Sequence, residues 1–376
     1  MRFAWNPDAD TVILRQMLTK DPMATLQASA TQIDGPMRRK SGFARDAMQR
    51  AALISQLPAL LAEFGVMLDQ LDAAYPLPRS VWTDPGCFIP FAQYCAVLDA
   101  AARLTDCPHF GLLLGAKGNH AGLGVAGAWL FSAPTHRDAI NGFIALQSSN
   151  TRAASMYIQD FGDESFVGYG IYDRTTVGRE QAYAFATALG VRLGTLLTGG
   201  RSVPREVQFP FRPPKNVAPY EMVFRAPVRF NSTACGVVLP KTALDMQLRK
   251  DNPGDFEDWL RRAHANTPSA AQVWTARIRH ILRPLLARHR AVAPVIADLC
   301  GVSPRTLNRK LAAEGASLRA LIDDMRLVMA EEYLLLTDLS IGEISLLVGF
   351  EAEKSFYRSF QRWTGTTPDA WRMAAQ

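Results

Sequence analysis

The chain has little cysteine for its length, five in 376 residues. They stand at 87, 95, 107, 235 and 300, and none forms a C-x-x-C pair. An odd, scattered set argues against a disulfide framework or a zinc ribbon and predicts free thiols in a reducing compartment. Long apolar runs are missing too. No stretch of 18 apolar residues occurs, so no transmembrane helix is expected. The start of the chain lacks a basic-then-apolar leader, because Asp8 and Asp10 precede its first apolar stretch. These absences predict a cytoplasmic protein with no membrane partner.

Catalytic signatures are equally scarce. There is no H-E-x-x-H, no G-x-S-x-G elbow and no Walker loop. The six histidines are dispersed, and none pairs with cysteine at zinc spacing. The expectation is a non-enzyme with no metal and no cofactor. One fragment, Gly122-Leu-Gly-Val-Ala-Gly127, matches G-x-G-x-x-G. A dinucleotide site needs a strand before that motif and a full helix after it. Here Lys117-Gly-Asn-His120 precedes it and Pro134 comes soon after, so tight packing is the better reading. A DNA-tethered enzyme using this loop for a nucleotide is the rival.

Charge of one sign is also in short supply. The net charge is +6, with a sequence pI near 9.1. From residue 266 onward 14 Lys and Arg face 11 Asp and Glu. Any affinity for nucleic acid must come from placed side chains rather than a strong basic field.

What the chain does have is concentrated towards its end, in two segments of one plan. The first reads Val295-Ile-Ala-Asp-Leu-Cys-Gly-Val-Ser-Pro-Arg-Thr-Leu-Asn-Arg-Lys-Leu311. The second reads Ile344-Ser-Leu-Leu-Val-Gly-Phe-Glu-Ala-Glu-Lys-Ser-Phe-Tyr-Arg-Ser-Phe360. Each is a short apolar helix, a glycine, a polar turn and a second helix, the layout of a helix-turn-helix. In the first, Gly301 admits a positive φ, Ser303 caps the next helix and Pro304 takes its first position. Leu307 and Leu311, four apart, face inward onto Ile296 and Leu299. Arg305, Thr306, Asn308 and Arg309 are left outward. These types read base edges, Arg at guanine and Asn at adenine.

In the second segment Ser340 and Glu343 form a capping box, Gly349 turns the chain, and Phe356 and Phe360 face inward. Its outward set is Lys354, Ser355, Tyr357 and Arg358, serving partly through phosphates. Glu351 and Glu353 place negative charge beside them. Between the copies, residues 317–336 carry Leu321, Ile322, Met325, Val328, Met329 and Leu336 on one helical stripe. Such a helix spans roughly 28 Å. Successive major grooves on one DNA face lie about 34 Å apart.

The run Gly349-Phe350, then Phe356-Tyr-Arg-Ser-Phe-Gln-Arg-Trp-Thr-Gly-Thr-Thr-Pro368, then Trp371-Arg372 resembles the C-terminal signature of the AraC/XylS family of bacterial transcription regulators. The resemblance covers about residues 270–376. It implies double-stranded promoter or operator DNA as a partner, and activation through RNA polymerase.

Ahead of that region, residues 51–248 read as α+β, helices first and a small, mainly antiparallel sheet later. Helical faces appear at Leu53, Leu57, Leu60, Leu61 and Phe64, and again across 89–104, 135–149 and 180–197. Strand-like runs occur at 154–159, 165–172, 203–211, 224–230 and 236–239, with Phe161-Gly-Asp-Glu164 as a hairpin turn. Cys107-Pro-His-Phe-Gly-Leu-Leu-Leu-Gly115, Arg212-Pro-Pro214 and Ala226-Pro-Val-Arg-Phe230 resemble the arabinose-binding-domain-like N-terminal region of one branch of the same family. That implies a sensing or dimerising domain, a small-molecule effector and a homodimer. Trp129, Tyr157, Tyr169 and Arg174 are the candidate effector contacts, aromatic and Arg types being common liners of such sites.

The expected organisation is a flexible extension over 1–50, an α+β effector-sensing domain over 51–248 and a linker over 249–269. An all-α domain completes the chain over 270–376, with two helix-turn-helix motifs joined by a helix. The function so read is a sequence-specific DNA-binding regulator, an activator controlled by a small molecule.

Overall fold

A computed structural model describes residues 47–174, 177–248, 274–286 and 289–375. The extension before residue 47, the linker and its expected helix at 255–264 lie outside the described residues.

Strand β1 (Met48–Arg50) pairs antiparallel with β2 (Phe88–Pro90). Residues 48–50 are thus part of the N-terminal fold, not of the extension expected before residue 51. The main sheet has the order β3-β4-β7-β5-β6, made of Ala154–Phe161, Glu164–Ile171, Cys235–Pro240, Glu206–Gln208 and Val228–Arg229. Neighbours are antiparallel except β5 and β6, which run parallel. The β3–β4 hairpin closes where expected, with Phe161 opposite Glu164 and Gly162 at φ +59°. Such a tight turn needs a positive φ, which glycine adopts without strain. The run at 224–230 is not one strand. Helix Ala218–Phe224 ends there, Arg225 takes φ +52°, and only Val228–Arg229 pairs.

The N-terminal helices include α1 (Leu57–Glu63), α2 (Phe91–Leu104), α3 (Phe110–Lys117), α4 (Gly124–Leu130) and α5 (His136–Leu146). A longer one, α6 (Arg179–Leu197), lies across the sheet. Gly111 and Gly115 let α3 touch α6 backbone to backbone. A Cβ on either would sit 2.3 Å from a carbonyl oxygen of α6, at Gln181 and Phe185. That close approach accounts for the glycines in the Cys107–Gly115 run. Gly127 behaves alike, since a Cβ there would fall 2.0 Å from the carbonyl oxygen of His120. The Gly122–Gly127 fragment thus packs on its own chain, and a 3-10 turn over His120–Leu123 leads into it in place of a strand.

The C-terminal helices are α7 (Trp274–Leu286), α8 (Ala293–Leu299), α9 (Pro304–Ala313), α10 (Leu318–Leu336), α11 (Ile341–Leu347), α12 (Glu353–Thr364) and α13 (Pro368–Ala375). Two apolar cores result. One fills residues 51–244 and reaches Leu336 of α10. The other joins the C-terminal helices and reaches Tyr172 beside the sheet. Among the described residues no single helix is long and apolar enough to cross a membrane. All five cysteines are free thiols. Burial pushes the thiols of Cys107 and Cys235 up to about 12, which keeps them protonated and inert.

Candidate nucleic-acid interface and ligand cavity

The first recognition helix is built as its residues dictate. Ser303 Oγ accepts from the backbone N–H of Thr306 at 3.2 Å, and Gly301 sits at φ +67°. Such a cap contributes about 1 kcal/mol. Leu307 and Leu311 are fully buried, each contributing on the order of 1.5–3 kcal/mol of burial. They meet Ile296, Ala297 and Cys300 in that core. Leu299, expected among their partners, is 56% exposed. Inward positions on α8 follow the 296, 297, 300 spacing, which turns 299 outward.

Arg305, Asn308 and Arg309 are exposed on one face of α9, with no side-chain partner among the described residues. Thr306 is half-buried, its hydroxyl 3.0 Å from Ser303 Oγ. It belongs to the cap more than to the reading face. Glu314 closes the unit by accepting from the backbone N–H groups of Trp274 and Thr275 at 2.7 and 2.9 Å.

The second unit has the same outline with more bracing. The capping box forms, with Ser340 N–H donating to Glu343 at 2.7 Å and Glu343 N–H to Ser340 at 3.2 Å. Phe356 and Phe360 are fully buried, 5.6 Å apart between ring centres. Lys354 and Arg358 are exposed, and Ser355 is half-buried. The Tyr357 hydroxyl donates to Asp369, whose carboxylate pushes the phenol up to about 12. That hydrogen bond ties Tyr357 to α13. Glu353 points back rather than out. A Cβ on Gly342 would lie 2.9 Å from its Oε2, so the carboxylate rests on the first turn of α11. A helix start favours negative charge there.

Helix α10 spans 19 residues, about 28 Å at 1.5 Å each. Arg326 on it donates to the carbonyls of Val348 and Gly349 at 3.1 and 2.9 Å. Its guanidinium also lies 4.5 Å from the ring centre of Phe350.

Sequence reasoning missed the far half of α10. Glu331 and Glu332 are both buried there. Glu332 is 0% exposed and receives Arg179 at 3.2 Å, Arg283 and the Tyr183 hydroxyl at 2.5 Å. Arg283 also donates to the carbonyl of Ile171 at 3.2 Å. One carboxylate therefore joins α6, the end of β4, α7 and α10. Arg174 pairs with Glu331, and Arg212 with Asp338 at 2.7 Å. The available signal was the Glu-Glu pair inside an apolar helical run. A buried carboxylate needs charged and hydrogen-bonding partners.

The candidate effector contacts do not share one place. Trp129 is fully buried between α4 and α5, its indole N–H donating to the carbonyl of Asp138 at 3.2 Å. Gly142 leaves room for that ring. Arg174 faces Glu331 of α10. Tyr157 lines a cleft between the sheet and α10, beside Arg283 and Tyr333. Tyr169 alone of the four lines a cavity of about 160 Å³. That cavity lies between the sheet and helices α5 and α6, with Leu53, Leu123, Ile140, Phe143, Phe185 and Leu193 among its walls. Tyr169 meets Tyr183 edge to face at 6.1 Å. The cavity wall thus touches the residue that holds Glu332.

Residues 65–248 match the family model described as the arabinose-binding domain of AraC transcription regulator, N-terminal. Residues 296–374 match a helix-turn-helix domain. The HTH-type transcriptional regulator VirS of Mycobacterium tuberculosis is 27% identical over 304 residues, covering 79% of this chain and 88% of that protein. The ornithine utilization regulator of Pseudomonas aeruginosa is 25% identical over 319 residues, covering 84% and 93%. The crystal structure of the transcriptional regulator CdpR from Pseudomonas aeruginosa aligns with a TM-score of 0.42 at 22% identity, over 84% of this chain and 97% of that one. Two matched domains in this order, with relatives that span both, identify the chain as a member of the AraC family of transcription regulators.

Proposed function

We propose that the chain is a sequence-specific DNA-binding activator, controlled by a small molecule held in the N-terminal domain. The observation that carries the reading is the exposed set Arg305, Asn308 and Arg309 on a capped helix anchored by Leu307 and Leu311. Their chemistry suits major-groove base edges. Lys354 and Arg358 serve the next groove, chiefly at phosphates. Thr306, Ser355 and Tyr357, half-buried and engaged within the protein, orient the two helices. Tyr169, Tyr183 and Glu332 offer a contact route from the cavity to α10. A homodimer in the cytoplasm acting on RNA polymerase completes the reading.

The test incubates the full chain with sheared genomic DNA at near-physiological salt and sequences what is retained. The expected result is a set of sites with two short boxes about one helical turn apart. Uniform retention that disappears with modest added salt would overturn specific recognition.

A further inference from the structure

The cavity beside Tyr169 carries an inference about the ligand, which rests on the effector reading above. No Asp, Glu, Lys or Arg lines it. A charged ligand would lose its water there and gain no counter-ion. The walls are mostly apolar, with several polar side chains among them. Gln147 and Asn150 are two of these, 1% and 2% exposed. Gln147 Oε1 accepts from the backbone N–H of Met156 at 2.7 Å, which leaves its Nε2 as a buried donor without a partner. Asn150 Nδ2 donates to Ser149 Oγ at 3.3 Å, which leaves its Oδ1 as a buried acceptor without a partner. The two residues are joined through one turn, Asn150 N–H donating to the carbonyl of Gln147 at 2.8 Å. Buried polar groups rarely stay unpaired, so an unpaired donor and an unpaired acceptor three residues apart on the cavity wall mark a place that something polar completes.

A third group narrows the choice. His136 lines the cavity near Gly194, its Nε2 3.3 Å from where a Cβ on Gly194 would sit. Its Nδ1 lies 3.1 Å from the carbonyl of Ala243, which places the proton on Nδ1. Burial lowers its pKa, although the Ala243 contact works the other way. The ring therefore stays neutral and offers an acceptor.

We infer that the cavity takes an uncharged, largely apolar molecule of about one six-membered ring, bearing a single hydroxyl or amide group that pairs with Gln147 and Asn150. A hydroxyl accepts from Gln147 Nε2 and donates to Asn150 Oδ1, and a primary amide does the same through its oxygen and nitrogen. An apolar cavity of about 150 Å³ holds benzene, which sets the size. A free sugar, with a hydroxyl on nearly every carbon, would bury much of its polar surface against a mostly apolar wall.

The test titrates the full chain with benzyl alcohol, benzamide, toluene, benzoate, benzylammonium and arabinose, reading heat of binding and melting temperature. Benzyl alcohol and benzamide should bind at least tenfold more tightly than the two ions or the sugar, and several-fold more tightly than toluene. Asn150→Ala should remove most of the advantage that benzyl alcohol and benzamide hold over toluene. The preference among the six probes on the unaltered chain decides the matter even if that variant does not fold. Equal or tighter binding of benzoate, benzylammonium or arabinose would overturn the inference, as would no binding of either neutral polar probe. Retention of the selected DNA sites, with and without the bound probe, reads the effector role separately. A neutral polar probe that binds without changing retention supports this ligand class and removes the effector reading. A charged probe that binds and changes retention does the reverse.

Discussion

In the first helix-turn-helix, helix α9 is held by its cap and two leucines, and its outward Arg305, Asn308 and Arg309 have no side-chain partner among the described residues. In the second, helix α12 and the turn before it are braced from α10 and α13. Arg326 reaches over from α10, Tyr357 ties to Asp369 on α13, and Arg362 pairs with Asp323 at 3.2 Å. Arg372 of α13 adds a bond to the carbonyl of Leu339 at 2.7 Å. The second recognition helix has no side-chain cap of its own, because its N-cap residue is Ala352. One motif leaves its polar groups available to a ligand, whereas the other uses several to fix its place. On the function proposed above, the first reads bases and the second sets register on the phosphates.

The largest test removes what the two units share. Glu332→Ala would leave Arg179 and Arg283 buried without their carboxylate, at a cost of about 3–5 kcal/mol. The denaturant midpoint should fall and both units should loosen together. Hydrogen exchange showing only one unit affected would sink the view of α10 as a common anchor. Arg326→Ala should cost about 1.5–3 kcal/mol, the range for hydrogen bonds to a charged group. Its effect should be confined to α11 and α12, with exchange protection of α8 and α9 unchanged.

At the DNA, Arg309→Ala should cost about 1–3 kcal/mol and relax preference at one base pair. Arg358→Ala should weaken all sequences alike and reduce the salt slope by about 1. If Arg358 relaxes a single position as Arg309 does, the two units are equivalent readers. The smallest contrast is in the caps. Ser303→Ala should cost about 1 kcal/mol and fray α9, while Ala352→Ser should gain at most a similar amount at α12. Thermal unfolding of the two variants gives both values.

The helix-turn-helix units were largely legible because their determinants are local. A cap, a glycine at positive φ and a four-residue apolar spacing act within one or two turns. Leu299 was misplaced because periodicity in so short a helix leaves two phases nearly equal, and packing against α9 chose the other. The sheet was legible at the β3–β4 hairpin, where strands adjacent in sequence pair. It was not legible at 224–230, where a helix end, a left-handed residue and a two-residue strand lie within one apolar run. The effector contacts fared least well. Aromatic identity does not say which side of a sheet or helix meets a cavity. Trp129, Tyr157 and Arg174 therefore went to a core, an interdomain cleft and an ion pair.

By itself the sequence determined the two helix-turn-helix units, the outward placement of Arg305, Asn308, Arg309, Lys354 and Arg358, and the helix between the units, since each depends on contacts a few residues apart. Only the tertiary structure decided that Glu332 locks that helix to the N-terminal domain, and that Gln147 and Asn150 line an uncharged cavity. Those groups come from segments as far as 153 residues apart. Chain folding alone sets which of them share a buried space, and burial then fixes which charges must pair.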